Sequence, residues 1–386
     1  MIKTNLIHLM RFHDSGAWPR RASLWYRAKA RGGTGLQSIS PPDPVAPAPG
    51  ATCLTGPRRR DTSDGPPQGA VLVPLLTRVF LAGLTVSLAA VALAAGRSRT
   101  EPPRPRRHTP ALHDDALIAG DGARLPLISW QPEEPAEPAA ILLGLHGYGD
   151  YRRSFRLAGP WFAARRIALF AYDQRGFGET GSRGRWPGAG ELIQDLAEAV
   201  LLLRQRYPAL PLYVIGESMG GSVALAGMGQ GKVVGVDRLI LVAPAVRGRV
   251  PLRDLHDLAL RLGALALPWV AVALRRGARP WLDSGEAARL ADDPLILRQI
   301  SVGAYEGLIE LADQASADPA VAMQPTLLLY GELDLTIPRV AIDDLALRLP
   351  NVTTKFYPEL HHLLLHEKGG DAVLEDCLAW LALAEP

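Results

Sequence analysis

The sequence predicts an α/β fold, with a mostly parallel central sheet flanked by helices and a helical cap inserted late in the chain. Three observations carry this. From about residue 113, short apolar runs alternate with stretches whose apolar residues recur at helical spacing. The runs are nearly continuous in apolar residues, as strands covered on both faces must be. The alternation breaks once, over 247–322, which is Leu/Ala-rich and helical in pattern.

The elements follow in order. Ala116–Ala119 and Arg124–Trp130 flank the turn Gly120-Asp121-Gly122 and predict an antiparallel hairpin. Ala140–Leu145 reads as a strand, Arg152–Arg165 as a helix and Ile167–Tyr172 as a strand. Gly190–Tyr207 sets Leu192, Leu196, Val200 and Leu203 on one helical face. Leu212–Ile215 is a strand, Ser222–Met228 a helix and Leu239–Val242 a strand. After the insertion come Thr326–Tyr330 (strand), Arg339–Leu349 (helix), Thr353–Tyr357 (strand) and Asp371–Leu383 (helix). The insertion carries Trp269 and Trp281 and falls between two strands, at the end of the sheet where loops lie. A cap there covers a site as a lid.

The first part of the chain differs. Residues 1–70 are rich in Arg, Pro, Gly and Ser and sustain no apolar period, so they predict a disordered or over-extended N-terminal region. Residues 71–96 include 18 uncharged residues from Val79 to Gly96, enough to cross a hydrocarbon layer. Three readings stand: a membrane anchor, a cleavable signal ending at Ala92-Leu93-Ala94, or a buried helix. The first two place the protein at a membrane or export it. Arg97, Arg99, Arg104, Arg106 and Arg107 favour a cytoplasmic side for the chain beyond an anchor, without fixing the orientation. Residues 97–112 read as an Arg/Pro-rich linker and 113–386 as the folded domain.

Composition narrows the function. Hydrophobic residues at 48% and charged residues at 21% describe a globular chain. The net charge of +3 over 386 residues comes largely from the Arg-rich first 110, and no basic stripe with interleaved aromatics lies beyond them, which argues against nucleic-acid binding. Cys53 and Cys377 are the two cysteines, with no C-x-x-C or Cys/His metal spacing. Neither a metal nor a cofactor is expected.

The chemistry centres on Gly216-Glu217-Ser218-Met219-Gly220-Gly221, directly after the apolar run Leu212–Ile215. A strand that turns sharply into a helix lifts the serine hydroxyl clear of the sheet edge. Gly216 and Gly220 are needed because side chains there would strike neighbouring backbone. A serine nucleophile needs a base and a group that orients the base, in the chain order Ser, acid, His. Asp334, past the strand Thr326–Tyr330, fits the acid, while Asp343 and Asp344 fall inside the next helix. His361 and His362 come after the next strand. His362, which opens Leu363-Leu364-Leu365, is the chosen base and His361 its rival, while His366 is expected to face a helix surface. The anionic oxygen of a tetrahedral intermediate needs preorganised N–H donors. Met219 N–H supplies one and Tyr148 N–H the other, in the turn His146-Gly147-Tyr148-Gly149.

With these motifs in order, the chain from about residue 113 resembles the α/β-hydrolases, specifically the monoglyceride lipase/lysophospholipase-like branch grouped with serine aminopeptidases. His146–Gly149 looks like the family's H-G-x-G, Asp173-Gln174-Arg175-Gly176-Phe177-Gly178 like D-x-R-G-x-G, and Gly216–Gly221 like G-x-S-M-G-G. Tyr330-Gly331-Glu332-Leu333-Asp334 and Tyr357…His362-Leu363-Leu364-Leu365…Glu367 resemble its acid and histidine segments, and the latter favours His362 over His361. The chain departs where the family often has histidine, at Glu217, Gln174 and Phe177. A carboxylate beside the nucleophile alters the local field or the lid contacts. In the cap, Asp293-Pro294-Leu295 is the one family-like piece.

The resemblance implies an α/β-hydrolase fold and hydrolysis of carboxylic esters through an acyl-enzyme, with no cofactor. The apolar cap suggests lipophilic acyl esters such as a monoacylglycerol or lysophospholipid. Two alternatives stand beside this reading: a peptidase or amidase using the same triad, and a non-catalytic binding protein on the same fold.

Overall fold

The computed structural model describes residues 104–248, 253–274, 279–319 and 322–382. The expected segments 1–70 and 71–96, and residues 97–103 of the expected linker, lie outside these residues. Among the described residues no helix is long and apolar enough to cross a membrane.

A nine-stranded sheet organises the fold. Its strands are β1 (Ala111–Leu112), β2 (Ala116–Ile118), β3 (Arg124–Trp130), β4 (Ala140–Leu145), β5 (Ile167–Tyr172), β6 (Leu212–Glu217), β7 (Arg238–Val242), β10 (Thr326–Gly331) and β11 (Val352–Tyr357). A separate two-stranded ribbon holds β8 (Ala271–Ala273) and β9 (Gln299–Ser301). The sheet order is β1-β2-β3-β5-β4-β6-β7-β10-β11. Strands β5 through β11 of that order pair in parallel, and β1–β3 join β5 antiparallel, starting from the expected hairpin. Every residue of β4, β5, β6 and β10 is buried, which is why these runs lack the period of two seen in half-exposed strands. Edge strand β11 instead exposes Thr353, Thr354 and Lys355, polar side chains that discourage pairing with another chain.

The helices are α1 (Ala158–Ala163), α2 (Ala189–Arg206), α3 (Met219–Gly229), α4 (Arg253–Ala266), α5 (Ser284–Asp292), α6 (Val302–Ala317), α7 (Arg339–Arg348) and α8 (Gly370–Ala382). Helix α3 buries nearly all its residues, because it lies between β6, α2 and α6. Helix α6 ends the 247–322 insertion, yet Leu311 is fully buried in the main core and Gly307 sits against the Trp186 ring. That helix therefore belongs to the layer over the sheet, while α4, α5 and the ribbon form the outer part of the insertion.

Three local details differ from the sequence expectation. The helix expected over Arg152–Arg165 is a 3-10 turn, Arg152–Phe155, followed by α1. Pro160 suits the first turn of α1, where its missing N–H has no intrahelical partner to lose. In the helical-looking insertion, Val272 of β8 faces Ile300 of β9, a ladder of three pairs too short to leave a period in the sequence. Residues from Arg106 onward, expected as linker, are tied to the domain. The Arg106 guanidinium donates to Glu198 and Glu191 on α2 at 2.8 Å each, and the His108 N–H donates to the Gly120 carbonyl at 2.8 Å.

Candidate active site

The carboxyl ends of the parallel strands gather the candidate residues at one edge of the sheet, where α/β sheets hold their ligands. Ser218 follows β6 with φ +50° and ψ −113°, a left-handed backbone that costs a non-glycine residue about 1–3 kcal/mol. Local bonds hold it. The Ser218 N–H donates to the Val242 carbonyl (2.9 Å), and the Ser218 carbonyl accepts from Ala245 N–H (3.0 Å) and Ser222 N–H (3.2 Å). A Cβ on Gly216 would lie 2.6 Å from the Gly221 nitrogen, and one on Gly220 would lie 2.1 Å from the Leu145 carbonyl oxygen. The turn is possible because both positions lack side chains.

Asp334 sits in the loop after β10 and His362 in the loop after β11. The Gly331 backbone approaches Leu360 and His361 so closely that a Cβ would lie 2.3 Å from both carbonyl oxygens. Backbone bonds lace the two loops, with Glu332 N–H to Tyr357 O at 2.9 Å and Leu333 N–H to Leu360 O at 3.0 Å. The result is a chain of three side chains. Ser218 Oγ lies 3.0 Å from His362 Nε2, and His362 Nδ1 lies 2.7 Å from Asp334 Oδ2. The Asp334 carboxylate is fully buried, and its other oxygen accepts from the N–H groups of Thr336 (2.6 Å) and Ile337 (3.2 Å), which fixes its orientation. A hydroxyl, an imidazole and a buried carboxylate in this order let the hydroxyl pass its proton to the ring as it attacks.

The rival His361 is engaged elsewhere. Its Nδ1 lies 3.0 Å from Glu367 Oε2, its N–H donates to the same carboxylate, and its ring stacks on Trp281 at 4.0 Å. Asp343 accepts from Arg339 on the exposed side of α7.

The turn His146–Gly149 lies against Ser218. A Cβ on Gly147 would sit 3.5 Å from the Ser218 Cβ, and Gly149 adopts φ +78°. His146 is fully buried. Its Nε2 accepts the Gln174 N–H (3.0 Å), so Nδ1 carries the proton and donates to the Gly147 carbonyl (2.9 Å). Burial lowers its pKa, which keeps the ring neutral in that role. Tyr148 packs edge-on against Phe177 at 5.1 Å. Met219 opens α3, where a first-turn N–H has no intrahelical acceptor.

The charged residues of Asp173–Gly178 are structural. Asp173 accepts from the Arg152 N–H and guanidinium and from the Glu179 N–H, and Arg175 forks between Asp121 and Asp195. Among the described residues no group of His, Cys, Asp or Glu is placed to hold a metal ion.

His366 corrects an expectation. It does not face a helix surface but is fully buried between two carboxylates, with Nδ1 2.9 Å from Glu286 Oε2 and Nε2 3.0 Å from Glu217 Oε2. Its partners lie 149 and 80 residues away in the chain, so no local pattern could reveal them. The one available signal was Glu217 itself, a carboxylate at a buried strand end that had to find a cation.

The sequence pattern of the serine aminopeptidase S33 family matches residues 136–369. A monoacylglycerol lipase of Mycolicibacterium smegmatis is 28% identical over 267 residues, covering 67% of this chain and 93% of the relative. A monoglyceride lipase of Mus musculus is 23% identical, covering 73% and 95%. Among solved structures, a soluble variant of monoglyceride lipase from Saccharomyces cerevisiae superposes with a TM-score of 0.59 at 20% identity, over 72% of this chain and 98% of its own. The monoacylglycerol lipase of Paleococcus ferrophilus gives 0.56 at 15% identity, over 67% and 98%. The chain is a serine hydrolase with the α/β-hydrolase fold and belongs to the serine aminopeptidase S33 family.

Proposed function

We propose that this protein cleaves carboxylic esters with lipophilic acyl chains, of the monoacylglycerol or lysophospholipid kind, by acyl transfer through Ser218. The observation that carries the reading is the unbroken hydrogen-bonded chain from Ser218 Oγ through His362 to Asp334. Ser218 Oγ attacks the ester carbonyl while His362 Nε2 takes its proton. Asp334 holds the ring so that Nδ1–H points at the carboxylate, and it stabilises the imidazolium that forms. The carbonyl oxygen becomes an anion facing the Tyr148 and Met219 N–H groups, and loss of one such donor typically costs ~10²–10³ in kcat. The C–O bond breaks, the alcohol leaves with the proton from His362, and water repeats the sequence to release the acid.

Two observations favour a lipophilic ester. The relatives named above are monoacylglycerol and monoglyceride lipases. On α4, Leu258, Leu262 and Leu265 fall on one face by helical spacing and are exposed, and Leu267 and Trp269 just beyond the helix are exposed too. Such a face suits a lipid–water interface. The family's description also raises an aminopeptidase. That reaction needs an acidic group to hold a free α-ammonium beside the scissile bond. Glu217, next to the nucleophile, is instead buried against His366. Membrane attachment through residues 71–96 completes the proposal. Alkaline extraction of membranes carrying the full chain tests it, and release of the protein argues against an anchor.

The substrate assignment is tested with p-nitrophenyl esters of rising chain length beside aminoacyl p-nitroanilides. The expected result is kcat/KM rising from acetyl to medium or long chains with negligible anilide cleavage. A sharp optimum at acetyl, or faster anilide cleavage, defeats it.

A further inference from the structure

Glu217, His366 and Glu286 form a buried charged cluster that the hydrolytic steps do not use. His366 ends the turn Leu364–His366, four residues beyond His362. One ring nitrogen reaches Glu217, the residue before the nucleophile, and the other reaches Glu286 on α5 of the insertion. Its backbone carbonyl also accepts the Asp283 N–H at 2.8 Å, and the Lys368 N–H donates to the Trp281 carbonyl at 3.0 Å. One buried side chain therefore joins the elbow, the loop of the base and the insertion.

The cluster continues to the turn after β4. Arg289 on α5 donates to Glu286 (2.8 Å) and forks onto Asp150 (2.7 and 2.8 Å). Arg156 donates to Glu286, and the Tyr151 hydroxyl donates to Asp293 at 2.5 Å. The Leu297 N–H donates to the Gly149 carbonyl at 2.9 Å. Residues 281–297 are thus fastened both to the His146–Gly149 turn and to the loop of His362.

Building on the proposed hydrolysis, we propose that His366 is a positioning residue, which as an imidazolium clamps the Glu217–Ser218 elbow and helix α5 to the loop carrying His362. The charges favour it. Glu217 Oε1 makes no hydrogen bond of its own, although it too lies 3.0 Å from His366 Nε2, so that ring carries the compensation of this buried carboxylate. With His366 protonated, the cations His366, Arg156 and Arg289 face the carboxylates Glu217, Glu286, Asp150 and Asp283. Of the titratable groups on elements packed against the cluster, His146 behind Glu217 is kept neutral by burial, and so is the Cys377 thiol of α8, whose pKa burial pushes up.

Burial alone would lower the His366 pKa, but Glu217 and then Glu286 overcome it and raise it to about 10. Burial would raise the Glu286 pKa, but His366 and Arg289 pull it down to about 2. The His366 contribution is therefore complete below its ordinary pKa of 6.5 and is lost as pH rises through about 10. The Glu286 contribution is complete above 4.5 and is lost as pH falls toward 2.

The test uses His366→Gln and Glu286→Gln in the full chain, with kcat expressed per site labelled by a fluorophosphonate, so that unfolded protein does not count. Misplacing a reacting group by about 1 Å costs on the order of 100-fold. His366→Gln is expected to lower kcat by about that factor, with a smaller change in KM. Glu286→Gln removes one of the carboxylates that hold the ring charged. Its alkaline loss of kcat should come at least one pH unit below that of the wild type, with circular dichroism unchanged over the interval. If kcat per labelled site stays within twofold in His366→Gln and the alkaline limb does not move in Glu286→Gln, the clamp is wrong. Should His366→Gln not fold, the Glu286→Gln profile decides alone. Failure of the wild type to label would instead count against the proposed hydrolysis.

Discussion

Gly220→Ala is a direct probe of how the elbow is held. A Cβ there would stand 2.1 Å from the Leu145 carbonyl oxygen, 2.6 Å from its carbon and 2.7 Å from the Leu145 Cβ. The contact is with backbone, and it falls more than an ångström short of ordinary van der Waals separation, so no side-chain rotation relieves it. Either α3 or the end of β4 must move. The first carries Met219 and the second leads into His146–Gly149, so the N–H groups of Met219 and Tyr148, the proposed donors, should separate by about that distance. Overpacking of this kind costs roughly 1–3 kcal/mol of stability. A displacement of about 1 Å at a reacting centre costs on the order of 100-fold in rate. Scanning calorimetry and kcat on p-nitrophenyl butyrate, normalised to labelled sites, read both effects. Gly190→Ala in the first turn of α2 is the control. Nothing lies within 4 Å of its added Cβ, and reduced freedom of the unfolded chain predicts no loss, or a gain of about 0.4–1 kcal/mol. Wild-type melting and kcat in Gly220→Ala would refute the steric account of the elbow.

Other outcomes rest on the same geometry. Asp334→Asn keeps the loop but turns the partner of His362 Nδ1 into a group that can present N–H, favouring the wrong tautomer. A fall in kcat of about 10⁴ is expected, and stopped-flow measurement checks it. His361→Ala should lose stability through the Glu367 and Trp281 contacts, by roughly 1–2 kcal/mol in urea unfolding, with kcat changed only a few-fold. Leu258→Ser/Leu262→Ser/Leu265→Ser removes the exposed face of α4. It should lower the rate on emulsified monoacylglycerol at least tenfold while sparing a dissolved short-chain ester, and equal losses on both would argue against an interfacial role.

The features legible in the sequence are those written locally. The buried strands appear as unbroken apolar runs because both faces are covered, and the positions of Gly216 and Gly220 follow from the sharpness of one turn. Chain order was enough to bring Asp334 and His362 forward, since consecutive parallel strands deliver their following loops to the same edge. The features that stayed hidden depend on distant partners. His366 looks like any helix-flanking histidine until Glu217 and Glu286 arrive from two other elements. Arg106 looks like part of a basic linker until α2 supplies Glu191 and Glu198. The β8–β9 ribbon escapes because three paired residues within Leu/Ala-rich flanks carry no usable period. At sequence level the choice of His362 over His361 rests on the apolar run Leu363-Leu364-Leu365 that it opens, and on a resemblance. In space, one ring lies against Ser218 and the other against Trp281.

Whether Ser218 is the acylated nucleophile is decided by trapping it. Intact-mass spectrometry after fluorophosphonate treatment, followed by peptide mapping, should show one adduct per chain on the peptide containing Ser218, and Ser218→Ala should gain none and hydrolyse no ester. An adduct on another residue, or wild-type ester hydrolysis by Ser218→Ala, would overturn the assignment.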